Sequence, residues 1–216
     1  MKDQIVFDCE TVGSGRGKAI ISLAALRFDL ADQQHTREVA SEMVAQRKVI
    51  AEFNGVYFSS NADVIFAKFP LLDSLLMGFE ADKGTLKWWG ERSEVHLKEN
   101  LTLTPIGGIC KILGHFDNWL NEAKAEIGEE CFGWANSPRF DFEMLEEYYK
   151  RCNKTFPINF RKECDIRTIR TFFKLPYRSK DDLKASGLES HNPIHDCVIQ
   201  AFDMQDAYAR LVKGSS

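Results

Sequence analysis

Four carboxylates and one histidine stand where the chain is expected to change secondary structure. Asp8 and Glu10 close a short apolar run, Ile5-Val6-Phe7, and a small-residue loop holding Gly13, Ser14, Gly15 and Gly17 follows. Residues i and i+2 of a strand point to the same side, so these two carboxylates project together. Like charges that close repel unless something positive lies between them. Oxygen ligands at this spacing suit a hard divalent cation such as Mg²⁺ or Mn²⁺. Asp141 falls in the first turn of an expected helix that follows the apolar run CFGWA (131–135). His191 lies in the loop before the last expected helix, and Asp196 lies in that helix's first turn. Each residue alone has an ordinary explanation: a strand-end turn, a first-turn acid favoured by the helix dipole, or a loop histidine. Together they offer charge enough for two divalent cations, and a base that titrates near neutrality. Two cations roughly 3.5–4 Å apart can activate water and stabilise the leaving oxygen of a phosphodiester.

The elements that must position these groups follow from periodicity. Residues 4–11 read as the first strand. Lys18 to Leu30 holds IISLAALRF, a continuously apolar run expected to be a second strand buried on both faces. Residues 29–36 read as a turn. Glu38 to Gln46 alternates apolar and polar residues and is expected to be a third, antiparallel strand, which gives a meander. The stretch at about 47–104 is an insertion-like region, with a turn at Asn54-Gly55, a helix over Phe66 to Met77, and a short helix from Thr85 to Lys98. Thr104-Pro105 is a good helix start, and Ile109, Leu113, Phe116 and Leu120 continue at helical spacing. CFGWA is a strand, Arg139 to Cys152 a helix, and Glu163 to Thr168 a short strand entering a helix. Ser179 to Ser190 reads as a loop, and Asn192-Pro193 opens the last helix. An antiparallel meander followed by β–α units is an α/β mixed sheet flanked by helices. One domain is expected over 1–212, with a tail at 213–216.

Composition narrows the function classes. The 216 residues carry 28 Lys and Arg against 32 Asp and Glu, a net charge of −4, so no global basic surface advertises nucleic acid. A locally basic groove remains open, because metal-holding carboxylates also add to the negative total. Arg139, Arg161, Lys162, Arg167, Arg170, Lys174, Arg178, Lys180 and Lys184 concentrate in the second half. Some of them could line a phosphate track. Six cysteines without CxxC spacing read as buried free thiols in a reducing, cytoplasmic setting, not a disulfide framework or zinc site. No secretory leader is expected, and no apolar run reaches the ~18 residues of a membrane span.

The order of the acidic motifs resembles the DEDDh 3′→5′ exonucleases of the DnaQ-like group, on the RNase H-like fold. The matching residues are Asp8 and Glu10 in FDCET, Asp141 in NSPRFDFEML, and His191 with Asp196 in HNPIHD. TLKWWGERSE (85–94), ANSPRFD and CDIRT (164–168) are similar to the RNase T-like exoribonuclease branch, which also contains exonuclease VIII. The resemblance implies two Mg²⁺ or Mn²⁺ ions on Asp8, Glu10, Asp141 and Asp196, with Asp8 bridging. It implies His191 as general base, because the family places that His five residues before the last Asp. His195 is the competing candidate. It further implies contact of Thr11 and Val12 with the terminal nucleotide of a single-stranded 3′ end, and release of nucleoside 5′-monophosphates. The resemblance admits a homodimer, and no sequence feature fixes its interface.

Trp88, Trp89 and Phe140 are candidates for base stacking, with one of the two tryptophans expected to pack and the other to face substrate. Trp134 is expected in the core. Rival readings are an inactive nucleic-acid-binding module of the same fold, another RNase H-like metal enzyme such as an endonuclease, and a small-molecule phosphodiesterase. The choice between RNA and DNA rests on contacts to the 2′-OH, which the sequence does not place.

Overall fold

The computed structural model describes residues 4–52, 56–58, 63–102, 108–127, 131–178 and 180–214. Its strands are Gln4–Thr11 (β1), Ile20–Phe28 (β2), Val56–Phe58 (β3), Val64–Lys68 (β4), Phe132–Ala135 (β5) and Glu163–Asp165 (β6). They form one mixed sheet in the order β3-β4-β2-β1-β5-β6. β1, β2, β4 and β3 pair antiparallel in turn, while β5 and β6 join parallel on the other side of β1. The helices are Gln33–Glu52 (α1), Leu71–Leu76 (α2), Lys83–Gly90 (α3), Glu94–Asn100 (α4), Ile109–Ile127 (α5), Pro138–Arg151 (α6), Ile166–Phe173 (α7), Lys180–Ala185 (α8) and Pro193–Gly214 (α9). This is the expected α/β mixed sheet flanked by helices.

β1 is central, and its pleat divides two apolar layers. Ile5 and Phe7 pack with Leu113 and Phe116 of α5 and Phe142 and Leu145 of α6. Val6 packs on the opposite face with Val39 and Met43 of α1 and Val198 and Ala201 of α9. Asp8 and Glu10 continue the Val6 side, so they emerge toward α9. Gly133 on β5 allows the close approach of the α6 layer: a Cβ there would lie 3.1 Å from Ile158, 3.2 Å from Phe7 and 3.3 Å from Phe142.

Several expectations are corrected. Residues 38–46 are helical, within α1, and not a strand. Val39, Ala40 and Met43 form a buried helical stripe against the sheet, and apparent alternation hid that 3.6-residue period. The antiparallel strand beyond β2 is β4, whose residues are all buried, with Ser22 opposite Lys68. The helix expected from Phe66 begins only after Pro70. The stretch at 47–104 therefore supplies sheet strands and is integral to the fold. Thr85 to Lys98 is two helices, α3 and α4, separated where Ser93 caps α4 by accepting from the His96 N–H. The loop expected at 179–190 contains α8, and the expected tail from 213 begins inside α9. Asn54-Gly55 and Thr104-Pro105 lie outside the described residues.

Cys110 and Cys152 are joined in a disulfide, with Cα atoms 5.5 Å apart, which corrects the reading of six free thiols. The N-terminal end of α5 meets the C-terminal end of α6 there, a juxtaposition no local spacing announces. Cys9, Cys131 and Cys197 are buried free thiols, and Cys164 is half-buried. Among the described residues, no helix is long and apolar enough to cross a membrane.

Candidate active site

The end of β1, the first turn of α6 and the start of α9 meet at one cleft of about 410 Å³. Asp8, Glu10, Asp141, His191 and Asp196 all line it. Carboxylate oxygens of Asp8, Glu10 and Asp196 lie within 4.8 Å of one another. Asp141 arrives because β5 runs parallel beside β1 and hands the chain to α6, with Pro138 in its first turn. Its carboxylate accepts the backbone N–H of Cys9, the residue between Asp8 and Glu10, at 3.1 Å. Gln200 stands one helical turn after Asp196 on α9 and donates to Asp8 at 2.7 Å.

Burial and crowding dominate the electrostatics. Desolvation pushes the Asp8 carboxyl well above the usual range, and Asp196, Asp141 and Glu10 push it further, against the Gln200 hydrogen bond. Glu10 is raised by burial, then by Asp196 and Asp141. Asp141 is pushed up to about 7 by burial, opposed by backbone N–H groups and by Arg167. Asp196 is likewise raised to about 7 by burial, opposed by the His191 N–H and by Arg170. A pocket of carboxyls that resist ionisation together is one that a cation would relieve. Its all-oxygen donor set fits a hard divalent ion.

His191 has a left-handed backbone, φ +65°. Its N–H donates to Asp196 at 2.7 Å, and its Nδ1 lies 3.8 Å from Glu10. Partial desolvation, then the charges of His96 and Arg92, lower its pKa below the ordinary imidazole value. The competing His195 points elsewhere: it is 1% exposed, and its Nδ1 accepts the Glu189 N–H at 3.1 Å inside the fold.

The aromatic and loop candidates separate. Trp89 is buried and donates to the Thr11 carbonyl at 2.9 Å, which ties α3 to the end of β1. Trp88 is half-buried and packs edge-on against the His191 ring, centroids 4.9 Å apart. Phe140 lines the cleft. Trp134 is half-buried on β5 and packs against the α9-side core. Thr11 and Val12, expected at the substrate, do not line the cleft. The Thr11 hydroxyl donates to Gly13 O at 2.6 Å. Val12 is 1% exposed, and its N–H and C=O bond to Ala19 and Asp82. The loop after β1 folds back onto its own neighbours, which consumes those groups.

Of the basic residues in the second half, Arg167, Arg170 and Arg178 reach the cleft. Arg170 is buried and bonds Asp203 through Nε and Nη2, and Asn136 at 3.0 Å. Gln200 went unnoticed in the sequence, although its i, i+4 spacing from Asp196 was a usable signal; Asn136 stood inside the ANSPRFD motif with no role of its own assigned.

The α/β fold and its acidic cleft suit an enzyme, and similarity to known proteins makes it a nuclease. The chain is a member of the 3′–5′ exoribonuclease Rv2179c-like domain family, whose profile matches residues 3–206. It is 26% identical over 220 residues to the exodeoxyribonuclease of Enterobacteria phage T4, covering 89% of this chain and 83% of that protein. Its fold is similar to that of cell-death related nuclease 4 (CRN-4), with TM-score 0.51 and 10% identity over 96% of this chain. The chain spans 64% of the length of that structure, and at this identity the likeness concerns the fold.

Proposed function

We propose that this enzyme is a DEDDh-type 3′→5′ exonuclease that removes nucleoside 5′-monophosphates from single-stranded ends. The observation that carries this reading is the convergence of Asp8, Glu10 and Asp196 within 4.8 Å, with Asp141 and His191 on the same cleft. Asp8, Glu10, Asp141 and Asp196 would hold two divalent cations, Mg²⁺ or Mn²⁺. When bound, such ions supply Lewis-acid activation of water and stabilise charge on the leaving 3′-oxygen.

The chain's own groups do the rest. The depressed pKa of His191 keeps its imidazole neutral at pH 7, ready to take the proton of the attacking water. The water oxygen forms the new P–O bond as the P–O3′ bond breaks, and the 3′-oxygen leaves protonated by solvent. Arg167 offers positive charge to the phosphates and Phe140 an apolar face to a base, while Trp88, with the Arg92 guanidinium 4.2 Å from its ring centroid, stands behind His191 at the edge of the cleft. An adjoining cavity of about 540 Å³, lined in part by Arg92, Lys184 and His191, gives the rest of the strand a path. The 3′ polarity is supported by the family's description. The family name points to RNA and the phage relative's name to DNA, so the sugar is left to the assay.

The test is a gel assay on 5′-labelled single-stranded RNA and DNA with Mg²⁺, Mn²⁺ or EDTA, beside Asp8→Ala. A metal-dependent ladder that shortens from the 3′ end, absent in Asp8→Ala, is expected. Internal cuts would assign an endonuclease. Undiminished degradation by Asp8→Ala would refute the metal-site assignment.

A further inference from the structure

We infer that Asn100, oriented by Ser22, is a positioning residue for His191: it grips the His191 carbonyl and so aims the imidazole at the cleft. This rests on the reading of His191 as the base. α4 shows one face to the loop at 190–192, because His96, Glu99 and Asn100 stand at i, i+3 and i+4. All three engage that loop. His96 Nε2 lies 3.2 Å from Ser190 O. Glu99 accepts from Asn192 Nδ2 at 3.2 Å. Asn100 Nδ2 donates to His191 O at 3.1 Å and to His96 O at 3.2 Å.

The orientation of the Asn100 carboxamide is set from the sheet. Ser22 Oγ–H donates to Asn100 Oδ1 at 2.7 Å, which turns the NH₂ group toward His191. Ser22 is no arbitrary residue of β2. It pairs with Glu10 on one side and with Lys68 on the other, so the three form one row across the sheet. Lys68 extends that row into α4, donating from Nζ to the Lys98 carbonyl and facing the charge of Glu99. The position of α4 is thereby referred to the strand residues that carry the cleft.

Two features separate this from ordinary helix docking. First, the contact is polar and dry: Glu99 and Asn100 are 0% exposed and Lys68 is 1% exposed. A helix that merely covered a sheet would use apolar residues, since buried polar groups are costly unless every one is bonded. Second, His191 sits at φ +65°, a conformation uncommon outside glycine, and both of its backbone polar groups are held there. Asp196 takes its N–H, and Asn100 takes its C=O. With both backbone groups fixed, the ring keeps only its side-chain torsions, between Trp88 and Glu10.

The experiment is a double-mutant cycle, read as kcat and KM on a 5′-labelled single-stranded oligonucleotide with Mn²⁺. His191→Asn removes the imidazole and keeps a residue that tolerates the left-handed backbone. Asn100→Ala is expected to lower kcat about 10- to 100-fold, the scale of a misplaced catalytic group. KM and the Mn²⁺-induced rise in melting temperature should stay unchanged. In the His191→Asn background the same substitution should change kcat less than about twofold, because an acting group is no longer there to misplace. Ser22→Ala should give a smaller loss of the same kind, and it carries the cycle if Asn100→Ala fails to fold. Equal losses in both backgrounds, or a loss confined to KM, would overturn the positioning role alone. Wild-type kcat in His191→Asn would overturn the base assignment and the positioning role with it.

Discussion

Asp141→Asn should stabilise the metal-free protein while it abolishes activity. The Asp141 carboxyl is 4% exposed and is lifted from 3.8 to about 7, mainly by burial. A folded-state pKa above the unfolded one means the folded protein binds the proton more tightly. That stabilisation is full below about pH 4 and is lost as pH rises through about 7. At about 1.4 kcal/mol per pH unit, ionising this buried group costs about 4 kcal/mol by pH 8. Asparagine removes the charge and keeps an oxygen to accept the Cys9 N–H. Its amide nitrogen is a poor match for the other backbone donors, so we take about half of the gain, about 2 kcal/mol. For a domain of this size that is a rise of about 4–8 °C in melting temperature. Melts in EDTA at pH 8 and pH 4.5 check it: the variant should melt higher at pH 8 and at or slightly below the wild type at pH 4.5, where little charge is left to relieve and the amide mismatch persists. Adding Mg²⁺ or Mn²⁺ at pH 8 should raise the wild type more than the variant. An Asp141→Asn melt at or below wild type at pH 8, or a gap independent of pH, would refute the electrostatic reasoning.

Three further outcomes are expected. Arg170→Met leaves buried Asp203 with the longer 3.5 Å contact to Arg178 and should cost about 3 kcal/mol in urea denaturation, with much of that restored in the Arg170→Met/Asp203→Leu double variant. Equal stabilities of the single and double variants would show that the pair is not coupled. Trp89→Ala should cost about 3–5 kcal/mol of stability, because a large buried ring and its bond to Thr11 are lost. Trp88→Ala should instead raise KM about tenfold, in line with about 1–3 kcal/mol per stacked base. The opposite ranking in paired melts and kinetics would reverse the two assignments.

Much of the candidate site was legible because its local rules are short-range. The period of two puts Asp8 beside Glu10, and helix-start signals put Asp141 and Asp196 in first turns. Both the strand that carries the first pair and the turns that carry the others appear where expected. The failures lay where periodicity is ambiguous. Val39, Ala40 and Met43 suit a helix as well as a strand until the sheet is there to receive them. Val64 to Lys68 lacks alternation because both its faces are covered.

Residue types and local spacing are enough to single out the groups that could do chemistry and the short segments that present them. Only the tertiary structure decided that β1 lies between β2 and β5, which draws α6 and α9 to one end of it and closes the carboxylates into a cleft. It also put His191 on the cleft and turned His195 inward, took Thr11 and Val12 out of the cleft, linked Cys110 to Cys152, and set α4 against the His191 loop. The physical reason is the range of the forces involved. Propensity, caps and pleat act over a few residues. Which buried faces and hydrogen-bonding groups meet is settled by packing the whole chain at once, where each pairing excludes its competitors.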